Sequence, residues 1–288
     1  MPIDPAYLLS LPPRITRHVY SRRDTILYAL GVGAGHDPQD IDELRFVYEE
    51  GLEALPSMAV VLAYPGFWQR EPQYGIDWKR VLHGEQSVRL HARLPVEGTV
   101  FSELTIDRIV DKGAATGALL YSTRRILLEP DKTLLATVEQ VSFLRGDGGC
   151  GSSGETPKPH AVPERAPDSE THLSTRPEQA LLYRLLGDYN PLHVDPRVAR
   201  EANLPRPILH GLCTYGIATR ALLRVLCGND PGRLARIDCR FTAPVFPGDT
   251  IMVSVWRESA GQAAFQARAL ERGVLVLNNG YAEFSGGG

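Results

Sequence analysis

The sequence predicts an α+β protein built as a tandem repeat, a helix followed by an antiparallel sheet able to wrap it, twice over. Three observations predict it. A polar stretch from Gly146 to Ala180, rich in Gly, Ser, Pro and charge, interrupts a 288-residue chain that is otherwise patterned with apolar residues. Runs rich in β-branched residues fill the later part of the segment on either side of it. Short motifs recur in the same order in both segments. On this reading residues 1–145 and 181–288 are the two units and 146–180 is a linker too polar to pack a core.

The repeated elements come in order. Tyr28-Ala29-Leu30-Gly31 has its counterpart in Tyr183-Arg184-Leu185-Leu186-Gly187, Leu55-Pro56-Ser57-Met58 in Arg206-Pro207-Ile208-Leu209, and Leu94-Pro95-Val96-Glu97-Gly98-Thr99 in Phe246-Pro247-Gly248-Asp249-Thr250. Strands are predicted over 99–110, 114–127 and 133–144, with turns at Lys112-Gly113 and Pro130-Asp131. In the second unit they are predicted over 237–243, 250–258, 263–270 and 274–284, with a turn at Arg272-Gly273. A mostly apolar helix is predicted from Ile217 to Cys227, stopping at Gly228. Its first-unit counterpart, Pro56 to Ala63, is followed at once by Pro65 and Gly66, which cut it to about two turns.

Composition narrows the function. A net charge of -3 gives no electrostatic case for nucleic acid or an anionic membrane as partner. Cys150, Cys213, Cys227 and Cys239 form no CxxC and no paired metal spacing, so free thiols in a reducing compartment are expected. Met1-Pro2-Ile3-Asp4-Pro5 does not read as a signal peptide, Phe284-Ser285-Gly286-Gly287-Gly288 is not a peroxisomal address, and no apolar run has a membrane span's length. A cytoplasmic location is expected.

The chemistry concentrates in Gly187-Asp188-Tyr189-Asn190-Pro191-Leu192-His193. An apolar helical run stops at the Gly, and Asp, Asn and His follow within six residues. Pro191 cannot continue a helix and restricts Asn190 before it, so the backbone turns there. A turn brings Asp188 and His193 to one small volume, where a carboxylate and an imidazole make an acid/base pair. Pro207-Ile208-Leu209-His210-Gly211-Leu212 then opens the apolar helix. A Gly at that end offers free N–H groups and the positive end of the helix dipole to an oxyanion.

Asp-x-Asn-Pro-Leu-His followed by Pro-x-x-His-Gly-Leu closely resembles the MaoC-like (R)-specific enoyl-CoA hydratases, the hydratase 2 family, in the double-hotdog form. The resemblance implies a tandem hotdog and reversible hydration of trans-2-enoyl-CoA to (R)-3-hydroxyacyl-CoA. It implies that Asp188 and His193 share the proton transfers, either being able to activate the water. Asn190 would orient the pair or the water, and the Gly211 N–H would receive the thioester oxygen, a donor worth about 3 kcal/mol in the transition state. Tyr189, Pro191 and Leu192 of the motif would line the substrate site. His83 and Gly84 match a segment contacting acyl-CoA, Lys112 a lysine near the CoA phosphates, and Phe241 a residue against the CoA moiety. His210 is read as structural. No metal or redox cofactor is implied, the partner is an acyl-CoA thioester, and a homodimer is kept open.

The two units are unequal. Aligned on Gly31 and Gly187, the first places Val32, Ala34 and Asp37 where the second has Asp188, Asn190 and His193. It has lost the acid/base set and is expected to widen the binding cleft, with Met58, Phe67 and Trp68 lining an acyl tunnel beside the shortened helix. The rival readings are a dehydratase of acyl carrier protein thioesters, a hotdog thioesterase, and a non-catalytic acyl-CoA binding protein.

Overall fold

A computed structural model of the chain describes residues 3–151 and 154–286. The strands of the first half are β1 (Arg14–Tyr20), β2 (Val81–Leu90), β3 (Gly98–Asp111), β4 (Ala118–Leu128) and β5 (Thr133–Leu144). Those of the second are β6 (Ser169–Ser174), β7 (Leu234–Phe241), β8 (Thr250–Ser259), β9 (Gln262–Ala269) and β10 (Val274–Phe284). All join one antiparallel sheet in the order β1-β3-β4-β5-β2-β7-β10-β9-β8-β6. Each half thus orders its first to fifth strands alike, and the two sets run outward from the β2–β7 junction. There Glu85 faces Arg240, Ser87 faces Asp238 and Val88 faces Ile237. The fold is the α+β tandem hotdog that the motifs imply.

The helices are α1 (Pro5–Ser10), α2 (Arg22–Gly31), α3 (Ile41–Val47), α4 (Gln179–Tyr183), α5 (Pro196–Glu201) and α6 (Gly211–Leu222). In α6 every residue from Cys213 to Leu222 is buried, as an apolar helix enclosed by a sheet must be. One π-turn, Leu223–Cys227, extends it to Gly228, whose φ of 59° ends the helix in the left-handed region. Its first-half counterpart is a single 3₁₀ stretch, Pro56–Val60. The buried Arg124 of β4 lies where that helix stops and donates to the carbonyls of Ala59, Val60 and Leu62. Burial pushes its guanidinium down to about 10.

Three expectations change. The polar stretch 146–180 is not all linker: Ser169–Ser174 is the edge strand β6, paired with β8 from Ser169↔Val255 to Ser174↔Thr250. Its Ser, Glu, Thr and His side chains hide it, because an edge strand buries little. Strands β1 and β2 are present where none was predicted. Met58, Phe67 and Trp68 do not line one channel. Met58 belongs to the main core, Trp68 packs in a second core with Ile3 and Leu8, and Phe67 is exposed, edge-on to Trp78. Trp68 does line a small space there, about 10 Å³, together with Pro65, Leu104 and Val138 and the polar Tyr64, Gln69, Ser122, Arg124 and Gln140.

The halves share one core. The carbonyls ending α2 are capped from the other half: Gln179 Nε2 donates to Gly31 O at 2.6 Å, Cys213 Sγ to Gly31 O at 3.3 Å, and Arg220 Nη1 to Val32 O at 3.0 Å. Arg220 also forms a buried ion pair with Glu43, 2.5 Å long.

Candidate active site

Gly187, at φ 112°, closes the helical run from α4 and sends the chain into the motif. Two side chains then shape the turn. Asp188 Oδ1 accepts from Asn190 N–H at 3.2 Å, and Asn190 Oδ1 accepts from Leu192 N–H at 3.0 Å. Pro191 opens a 3₁₀ turn, Pro191–His193, that swings the His193 ring inward. His193 ends buried, whereas Asp188 is half-buried and Asn190 is exposed. The Asn190 side-chain oxygen therefore holds the turn and leaves its amide NH₂ free.

A second segment meets this turn. Leu209 N–H bonds to Val245 O at 2.7 Å, which places His210 as the N-cap residue of α6 and Gly211 as its first residue. His193 Nδ1 lies 2.9 Å from Ile208 O, and a carbonyl only accepts, so Nδ1 carries the proton. In the neutral ring Nε2 then keeps its lone pair. By the same argument His210 Nε2 donates to Asp188 O at 3.2 Å. The His193 and His210 rings stack with centroids 3.7 Å apart, inclined by 26°.

Burial sets the charge state of both rings. Desolvation lowers the pKa of His193, against a smaller upward pull from its bond to Ile208 and from Asp188. Desolvation, with the neighbouring His193, pushes His210 down to about 4. Both rings are therefore neutral near pH 7. One donor atom from each of Asp188, His193 and His210 lies within 4.8 Å of the others. Two groups sharing one water at about 2.8 Å each sit about 4.6 Å apart, a spacing inside the 4.8 Å limit of this cluster.

Gly211 completes the group. Its N–H, at the head of α6, has no protein acceptor among the described residues. A Cβ at Gly211 would stand 3.3 Å from the Phe241 ring, so this close approach favours glycine. Phe241 meets His83 edge-on, centroids 4.8 Å apart. His83 is aimed by a bulge in β2, where Gly84 is the extra residue between the pairs His83↔Ser142 and Glu85↔Val141. Burial pushes the His83 imidazole down to about 4.

The fold thus gathers Asp188, His193 and Gly211, with Phe241 and His83 alongside. Tyr189 and Pro191 are exposed on the outside of the turn, Tyr189 beneath the Arg184 guanidinium at 5.1 Å, and Leu192 is half-buried. Lys112 stands apart at the β3–β4 turn, its Nζ 3.1 Å from Thr156 Oγ1. Sequence reasoning missed two residues. His210, read as structural, lies against the motif histidine. Tyr64, from the first half, is pushed up to about 12 by burial and by the charge of Asp188. A tyrosine before Pro-Gly carries no signal of its own; the His two residues after Ile208 does, once Ile208 is known to hold His193.

Comparison with known proteins shows the family to which the chain belongs. Residues 158–279 match the MaoC like domain and residues 18–146 the MFE-2 hydratase 2 N-terminal domain. The chain is 37% identical over 288 residues to the peroxisomal enoyl-CoA hydratase 2 of Arabidopsis thaliana, covering 94% of this chain and 92% of that protein. The crystal structure of a MaoC-like dehydratase from Phytophthora capsici superimposes with a TM-score of 0.87 at 34% identity, covering 98% of both chains. A Mycobacterium tuberculosis protein described as having a double hotdog fold shares the fold, with a TM-score of 0.57 at 16% identity over 95% of each chain. The chain belongs to the MaoC-like, hydratase 2 family.

Proposed function

We propose that the protein is an (R)-specific 2-enoyl-CoA hydratase, adding water reversibly and syn to trans-2-enoyl-CoA to give (R)-3-hydroxyacyl-CoA. One observation carries the reading: a neutral, buried His193, its Nδ1–H fixed on Ile208, shares with Asp188 a cluster whose donor atoms lie within 4.8 Å of one another, next to the Gly211 N–H at the head of α6. Nε2 takes a proton from that water as its oxygen bonds to C3. Charge passes to the thioester oxygen, which accepts from Gly211 N–H at the positive end of α6. The imidazolium, stabilised by the Asp188 carboxylate, then returns the proton to C2 on the same face. Oxygen and both hydrogens come from one water, and no cofactor is called on.

In this reading the second half, β6 included, is catalytic and the first is a degenerate hotdog that binds acyl-CoA. His83 and Phe241 border the thioester, Tyr189 and Leu192 flank its entry, and Lys112 reaches toward the CoA phosphates. No helix among the described residues is long and apolar enough to cross a membrane. A cytoplasmic location is supported by the free thiols Cys213, Cys227 and Cys239, all buried. A homodimer is proposed as well, because the edge strand β1 turns Ile15 and Val19 to solvent; a monomer by sedimentation velocity would remove it. The deciding experiment is turnover of trans-2-enoyl-CoAs with chiral analysis of product. An (S)-product, or release of free CoA without hydration, overturns the reading. Faster turnover of the matching acyl carrier protein thioester would change the carrier but keep the chemistry.

A further inference from the structure

His210 and His193 hold each other's backbone. The ring of His193, from the catalytic turn, donates to Ile208 O on the segment that leads into α6. The ring of His210, on that segment, donates to Asp188 O on the catalytic turn. The two rings stack between these bonds at 3.7 Å. The result is a reciprocal clasp of two bonds and one stacked pair, joining residues 188–193 to residues 208–211.

From this geometry we infer that His210 is a positioning residue for the hydration reaction: its imidazole registers the Gly211 oxyanion donor against Asp188 and His193. The inference rests on the hydratase reading of the site. Four observations support it. Gly211 follows His210 directly, so any shift of the His210 backbone moves the N–H that receives the thioester oxygen. Asp188 has its carbonyl fixed by His210 while its own carboxylate folds back on Asn190 N–H, so the aspartate is held at both ends. His210 Nδ1 is buried without a hydrogen-bond partner among the described residues, so within them the ring bonds to Asp188 O alone. Tyr183 closes the other side of the ring at 5.0 Å and leaves it little freedom to turn.

The clasp also acts on charge. The ionisable groups facing His210 are Tyr183 and Arg184 from the helical run, Asp188 from the turn, and the His193 ring. Two stacked imidazoles resist protonation together, since a cation on one disfavours a cation on the other. His210, the ring pushed lower, therefore stays neutral when His193 takes up the catalytic proton. A shift of about 1 Å in a reacting group costs up to about 100-fold in rate, which sets the effect expected on losing the clasp.

The experiment compares His210→Phe with His210→Gln. Phenylalanine keeps a flat ring for stacking and loses the donor. Glutamine places an amide N–H near the position of Nε2 and loses the ring. The expected result for His210→Phe is a fall in kcat of about 10- to 100-fold with KM nearly unchanged, because CoA contacts lie elsewhere. His210→Gln is expected to recover most of kcat, with KM again nearly unchanged. A kcat for His210→Phe within about twofold of the parent overturns the clasp, as does a His210→Gln enzyme as slow as His210→Phe. Equal loss of kcat and melting temperature in both variants also overturns it, since that marks a purely structural role. Asp188→Asn serves as control: if it retains activity, the site itself is misassigned and the clasp falls with it.

Discussion

Val32, which stands in the first half where Asp188 stands in the second, packs so closely on Gly216 of α6 that a Cβ at Gly216 would lie 2.4 Å from Val32 Cγ1. The same added atom would come within 3.1 Å of the Tyr28 hydroxyl. The position that the motif alignment pairs with Asp188 is thus a packing residue in the first half. Its partner is the central helix of the catalytic half.

The first prediction follows from that contact. In an exposed helix Gly→Ala stabilises by about 1 kcal/mol through backbone entropy. At Gly216 the sign should reverse, because the short, buried Val32 side chain cannot step aside. Overpacking of this kind costs about 1–3 kcal/mol. Thermal unfolding of Gly216→Ala should show a lower melting temperature, and Val32→Ala in the same chain should restore part of it. A stabilised Gly216→Ala would refute the contact.

Asp188→Asn and His193→Ala should each lower hydration by about 100- to 10,000-fold while the protein stays folded. Among the described residues the Asp188 carboxylate bonds to the local Asn190 N–H, and the His193 ring bonds to Ile208 O. Neither removal opens a large core cavity. Activity within a few fold of the parent, at unchanged melting temperature, would reject the site.

Most of this was legible in the chain, and the exceptions share a cause. The strands β3, β4, β5, β8, β9 and β10 were readable because their β-branched runs end at Gly or Pro turns. In β4 the burial alternates without fault from Ala118 to Arg124. Strand β1 exposes Ile15, Arg17 and Val19 at a sheet edge, β6 is an edge strand of polar residues, and β2 carries Glu85, Ser87 and Arg89 because it meets Arg240, Asp238 and Arg236 across the junction. Polar pairs that exist only after the halves meet leave no periodic signal. The Asp-x-Asn-Pro-Leu-His turn was readable for the opposite reason, since local bonds within six residues shape it. His210 was not, because its partners are Asp188 O, 22 residues back, and a ring it touches only once folded.

The halves should not separate. A chain starting near residue 170 would bare the β7 edge and strand Arg220, which now pairs with Glu43 and caps Val32 O. In the intact chain Glu43→Ala leaves that cation buried and uncompensated, and breaking such a pair costs about 3–5 kcal/mol. Denaturant unfolding should show a loss of this size. The carboxyl fragment should be insoluble or inactive, and full activity of the fragment on every chain length would remove any binding role for residues 1–145.

Acid should weaken the protein in a defined window. Burial lowers His193 and takes His83 and His210 down to about 4, whereas the unfolded chain protonates its histidines near 6.5. Between those values the unfolded state binds more protons than the folded one, so stability is lost as pH falls from about 6.5 toward 4. The acid limb of kcat/KM should likewise lie below the ordinary histidine value, since His193 stays a base there. Melting temperatures from neutral to mildly acid pH test this, and a flat profile across the window would show that the rings are not held neutral.

Chain length is the last and sharpest test of the first half. A dry apolar tunnel contributes about 0.8 kcal/mol per methylene, about fourfold in kcat/KM, so six added methylenes would give a gain of about a thousandfold or more. The space beside the shortened Pro56–Val60 helix does not offer that. It is small, about 10 Å³, and although Pro65, Trp68, Leu104 and Val138 form part of its wall, Tyr64, Gln69, Ser122, Gln140 and Arg124 form the rest. Arg124 is fixed there by the three carbonyls it caps, so it cannot withdraw without leaving them unpaired. A methyl group entering this space gains little from burial and crowds groups that prefer hydrogen bonds. Turnover should therefore rise with length only until the chain reaches Tyr64, and kcat/KM for a ten-carbon enoyl-CoA should exceed that for crotonyl-CoA by less than about tenfold. Trp68→Ala should raise that ratio by opening the second core next to the same space. A thousandfold preference for the longer substrate in the parent enzyme would mean that the acyl chain runs elsewhere, through an apolar path that avoids Arg124.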